Sequence, residues 1–92
     1  MSKLTFEKVL KRLSESASNI SCKEMRKLLE NLGFTVKSGN NGRHHTFTHP
    51  KIKGFFGGNY DCGHGAHMLP VYPKNVLKIL NDLQVELKEL EK

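Results

Sequence analysis

The hydrophobic residues of this 92-residue chain change period twice, and that switch restricts the fold more than any other feature. Leu4, Val9, Leu10 and Leu13 recur at helical spacing with Lys8, Lys11 and Arg12 opposite, which predicts an amphipathic helix over about residues 4 to 15. After the polar linker Ser14 to Asn19, Ser21 and Glu24 have the form of a capping box. Met25, Leu28, Leu29 and Leu32 supply the apolar stripe of a second helix, which Gly33 stops. There the period falls to two. Phe34-Thr35-Val36 alternates as a first strand, and Ser38-Gly39-Asn40-Asn41-Gly42 is dense enough in turn formers to bend it into a hairpin. The next strand runs through the histidines to Pro50, which has no N–H to give the ladder. A third strand is expected from Phe55 to Cys62, with a bulge or bend at Gly57-Gly58. Helical spacing returns behind Pro73 at Val76, Leu80, Leu83, Leu87 and Leu90. The order α-α-β-β-β-α predicts an α+β fold, one three-stranded antiparallel sheet covered on one face by helices.

Residues 1–92 are read as a single domain, because a chain of this length holds one core. No apolar run reaches a membrane-spanning length, and Met1 to Glu7 lacks the features of a secretory signal, so a cytoplasmic protein with no membrane partner is expected. Cys22 and Cys62 are too sparse for a secreted disulfide scaffold and are expected as free thiols. The formal net charge of +6 is unevenly placed. From Asn31 to Asn81 the six bases Lys37, Arg43, Lys51, Lys53, Lys74 and Lys78 face one acid, Asp61, while the flanks nearly balance. A basic middle of that kind suits a polyanion such as RNA.

All five histidines fall between His44 and His67, and imidazole is the side chain that exchanges protons near neutral pH. A period of two puts His45, Phe47 and His49 on one face and His44, Thr46 and Thr48 on the other. If Phe47 enters the core, His44 points out, and His45 and His49 pack inside with their nitrogens on backbone partners. Phe55-Phe56-Gly57-Gly58-Asn59-Tyr60 reads as core with alternate residues pointing each way, and a platform for stacking bases is the competing reading. Cys62-Gly63-His64-Gly65-Ala66-His67 offers zinc-ligand types that His44 or His49 would complete, but its spacing fits no standard zinc module. A solvated glycine-bounded loop is favoured there, and no cofactor is expected. The leucines of the last helix keep a heptad-like register over barely two heptads, so packing over the sheet is favoured over dimerisation, and the free chain is expected as a monomer or weak dimer.

Leu28-Leu29-Glu30-Asn31-Leu32-Gly33-Phe34, then Gly42-Arg43-His44-His45-Thr46-Phe47-Thr48-His49-Pro50, then Val76-Leu77-Lys78-Ile79-Leu80 behind a proline together resemble the HicA family of toxins. The resemblance spans roughly residues 21 to 81, and its most specific part is Gly42 followed after one residue by His44. Residues 1–20 then form an extra N-terminal helix and linker, 21–81 the HicA-like core, and 82–92 a C-terminal helix extension. The resemblance implies a fold similar to double-stranded RNA-binding domains. It also implies a ribonuclease that cleaves mRNA and is inhibited by a HicB antitoxin, with His44 as its catalytic histidine. Arg43 stands where many members look to have a small residue.

Cleavage of RNA without a metal needs a base for the 2′-hydroxyl proton and positive charge on the phosphorane. The residues assigned are His44 as general base or acid and Lys37, Arg43, Lys51 and Lys53 as phosphate contacts, with turn amides from Gly39 to Gly42 as further donors. Two other classes fit the same chain, a non-catalytic double-stranded RNA-binding module and a small zinc-binding interaction domain.

Overall fold

The helical stripes and the inward faces of the strands converge on one set of buried side chains. The structure is a computed structural model that describes residues 5–15, 19–39, 43–63 and 68–91. Its elements are α1 (Phe6–Glu15), α2 (Cys22–Asn31), β1 (Thr35–Ser38), β2 (His44–Thr48), β3 (Gly58–Asp61), α3 (Val71–Asp82) and α4 (Gln84–Leu90). The expected helix residue Leu4, much of the Ser14 to Asn19 linker, the turn residues Asn40-Asn41-Gly42 and the segment His64 to His67 lie outside the described residues.

The expected α+β architecture holds. The three strands pair antiparallel in the order β1-β2-β3. Val36, His45, Phe47 and Tyr60 face inward and are buried against the helices. Thr35, Lys37, His44, Thr46, Thr48 and Asn59 face outward and are exposed, so no described helix covers that side. Phe6, Val9 and Leu13 bury the stripe of α1 in the same core, and Arg12 of α1 holds Glu24 of α2 in a two-toothed ion pair. Ser21 caps α2 as its spacing suggests, its Oγ accepting the Glu24 amide at 3.1 Å.

Three expectations need correction. The third strand is shorter than expected and begins at Gly58. Gly57 takes φ +122°, which only glycine adopts readily, and a Cβ on Gly58 would meet Phe47 Cζ at 2.5 Å, so the pair turns the chain and lets β3 close on β2. The last helix starts at Val71, with Pro73 inside its first turn where a missing N–H costs nothing. It divides at Leu83, whose φ −101° and ψ 13° leave the helical range. No glycine or proline stands there. The cause is tertiary: Glu91 accepts the Phe6 amide, Lys88 pairs with Glu7 at 3.2 Å, and Leu87 is buried, so α4 is drawn back over the start of α1. Val76 and Leu80 are buried as well, so most of the heptad-like leucines are spent on the core. Finally, Cys22 and Cys62 are not free thiols. They form a disulfide between the start of α2 and the residue after β3, with Cα atoms 5.2 Å apart.

Candidate active site

His44 opens β2, and the register of β2 with β3 sets it opposite Asp61. Its Nδ1 lies 3.1 Å from Asp61 Oδ2, while its side chain is 71% exposed. The other carboxylate oxygen, Oδ1, accepts the amide of Gly63 at 2.8 Å. Gly63 has φ +65°, and this left-handed conformation curls its N–H back onto the carboxylate. That amide holds the Asp61 carboxyl below the usual carboxylate range; burial opposes it, and the lesser effects of the His44 and Arg43 charges push the same way as the amide. Asp61 is therefore an ionised acceptor fixed at both oxygens, and it orients the ring of His44.

Arg43 is half-buried just before β2, and its carbonyl accepts the Cys62 amide at 2.9 Å, which extends the β2–β3 ladder by one bond. Lys37 is exposed on the same outward face, opposite Thr46 on β2. Lys51 and Lys53 are also exposed, but they follow the other end of β2, and the strand alone separates that end from His44 by about 13 Å. The structure thus gathers His44, Arg43 and Asp61, with Lys37 on the shared face, and leaves Lys51 and Lys53 apart. Gly39 is no anion donor either. Its amide is committed to the His44 carbonyl at 2.6 Å, and a Cβ there would come within 3.2 Å of the same oxygen.

The inward histidines take the enclosed positions expected of them. His49 Nε2–H donates to the Leu32 carbonyl at 3.0 Å, its Nδ1 accepts the Lys51 amide at 3.1 Å, and its ring meets Phe34 edge-on. His45 differs from the expectation in its partners, which are side chains. Nδ1 lies 3.3 Å from Ser38 Oγ, Nε2 lies 3.4 Å from Cys22 Sγ, and the ring stacks on Tyr60. Cys62, considered above with His44, His49, His64 and His67 as a ligand, is instead grouped among the described residues with Cys22 and His45. Phe55 packs against Phe34 and Phe47 while Phe56 is 95% exposed, so the pair alternates as expected.

Sequence reasoning missed Asp61 as the partner of His44. One signal was present, since Asp61 is the sole acid among the six bases of residues 31–81. What it could not supply was the register.

The family model described as the HicA toxin of bacterial toxin–antitoxin systems matches residues 22–85, which takes in α2, all three strands and α3. Comparisons with curated proteins and with solved structures return no match. Because the family model covers more than two thirds of the chain and includes the outward histidine on β2, this chain belongs to the HicA family of toxins of bacterial toxin–antitoxin systems.

Proposed function

We propose that this toxin is an endoribonuclease that cleaves mRNA in the cytoplasm by histidine acid–base chemistry, and that a HicB-type antitoxin neutralises it. The observation that carries the reading is the exposed His44 with Nδ1 held 3.1 Å from Asp61 on a sheet face that no described helix covers. With Nδ1–H donated to the carboxylate, Nε2 is the nitrogen presented to substrate, as a base for the ribose 2′-hydroxyl. The freed 2′-oxygen bonds to phosphorus while the bond from phosphorus to the 5′-oxygen breaks. The products are a 2′,3′-cyclic phosphate and a 5′-hydroxyl. Arg43 and Lys37 are assigned to the negative charge that gathers on the phosphorane, and Lys51 and Lys53 to more distant contacts with the RNA strand. An antitoxin that covers this face would remove substrate access.

The test compares the wild-type protein and His44→Ala on a labelled mRNA, with circular dichroism as a check on folding. Loss of about 10²- to 10⁴-fold in cleavage with retained RNA binding is expected. Undiminished cleavage by the variant overturns the role of His44, and RNA retention by the wild type without any cutting favours the non-catalytic RNA-binding module.

A further inference from the structure

On the inward face, away from His44, the start of α2, the middle of the sheet and the end of β3 bring two sulfurs and an imidazole together. Cys22 Sγ, Cys62 Sγ and a ring nitrogen of His45 all lie within 4.8 Å of one another. We propose that in the reduced chain these three residues form a binding site for a thiophilic divalent cation of the zinc class, so that the disulfide and the metal are alternative staples for one junction.

Three observations support a ligand set over a chance encounter. The first is spacing. Zinc bonds of about 2.3 Å to sulfur and 2.0–2.1 Å to nitrogen, set tetrahedrally, place neighbouring sulfur and nitrogen ligands about 3.5 Å apart. The Cys22 Sγ to His45 Nε2 distance is 3.4 Å. The two sulfurs have to separate from bonding contact to about 3.8 Å, and Cys62 Sγ, within 4.8 Å of the ring nitrogen, has to settle at about 3.5 Å from it, both by rotation of side chains. The second is the orientation of the imidazole. A ligating histidine donates its other ring N–H to an outer partner, which fixes the tautomer and turns the free lone pair to the metal. His45 Nδ1 lies 3.3 Å from Ser38 Oγ, the acceptor such a ring requires, and the stack on Tyr60 holds the ring plane. The third is electrostatic. Cys22 is the first residue of the ten-residue α2, where the helix dipole favours thiolate over thiol.

The chemistry balances with a cellular monothiol as reductant. Two reductant thiols become one disulfide, the bond between Cys22 and Cys62 breaks, and the two cysteines take up the two protons. Binding of the cation then releases those protons, leaving two thiolates and a neutral imidazole as ligands with water in the fourth position. The site lies apart from the outward face and does not rest on the ribonuclease reading. Its role is to pin α2 to the sheet whichever way the cysteines stand.

Protein purified without a histidine tag and reduced with a phosphine is titrated with Co²⁺ and then with Zn²⁺. One equivalent of cobalt with a thiolate-to-metal charge-transfer absorption, displaced by zinc, is expected. Cys22→Ser with Cys62→Ser removes the band, Ser38→Ala lowers affinity by about 10- to 100-fold, and disulfide-bonded protein gives no band. Absorption is the readout whether or not the reduced chain is folded before metal arrives, because a chain that needs the site would fold on binding. No charge-transfer band from reduced protein, or a band that survives both serine substitutions, overturns the proposal. Cleavage is not measured, so failure here leaves the assignment of His44 standing.

Discussion

On the outward face of β2, His44 is 71% exposed and touches a carboxylate; on the inward face, His45 and His49 are each 6% exposed and bonded at both ring nitrogens. The residue type is the same, and the three lie within β2 and the residue that follows it. The pleat decides the difference. An imidazole on the outward side of the sheet stays exposed, whereas one beneath it is consumed by packing and internal hydrogen bonds. Clustering of histidines is therefore a poor guide to a catalytic site until each ring is assigned a face.

That contrast is broken most sharply by substituting one histidine from each side. His44→Ala is expected to lose about 10²- to 10⁴-fold in cleavage while its stability stays within about 0.5 kcal/mol of wild type. His49→Ala should do the reverse. It leaves a buried carbonyl at Leu32 and the Lys51 amide without their partner and opens a cavity, a loss of about 2–4 kcal/mol by denaturant titration, with cleavage per folded molecule retained. Equal effects on activity from the two variants would erase the distinction between faces.

Asp61→Asn sharpens the outward half. The amide keeps the shape but loses the charge that orients Nδ1–H, and a fall of about tenfold in cleavage, smaller than that of His44→Ala, is expected from steady-state assays. No change would mean that the ring is positioned by something else.

Tyr60 probes the inward half at the smallest scale. Its hydroxyl is buried, finds no hydrogen-bond partner among the described residues, and is pushed up to about 12 by that burial from an ordinary value near 10. The folded state favours the neutral phenol, so this contribution to stability is complete below about pH 10 and is lost as pH rises through about 12. Tyr60→Phe should change stability at neutral pH by no more than about 1 kcal/mol and should flatten the alkaline decline, measured by thermal melts from pH 9 to 11.5.

Much of this arrangement was legible in the sequence, and the illegible parts share a cause. The faces of His44, His45 and His49 follow from alternation anchored by Phe47 and ended by Pro50, all within one segment. The partnership of His44 with Asp61 depends on where β3 begins, and that depends on Gly57 turning at φ +122° and Gly58 sliding under Phe47. The disulfide joins residues 40 apart and depends on how the start of α2 lands over the end of β3. The break at Leu83 is set by contacts of α4 with α1 at the far end of the chain. Local periodicity carries none of these, since each is settled only when distant elements dock.

The most direct test of the central claim is to identify the ends of the RNA fragments produced from a substrate carrying one 2′-deoxy position. A 2′,3′-cyclic phosphate with a 5′-hydroxyl at every cut, and no cut at the deoxy position, is the result expected of His44 acting on the ribose hydroxyl. Fragments ending in a 3′-hydroxyl with a 5′-phosphate, or undiminished cutting at the deoxy position, would contradict it.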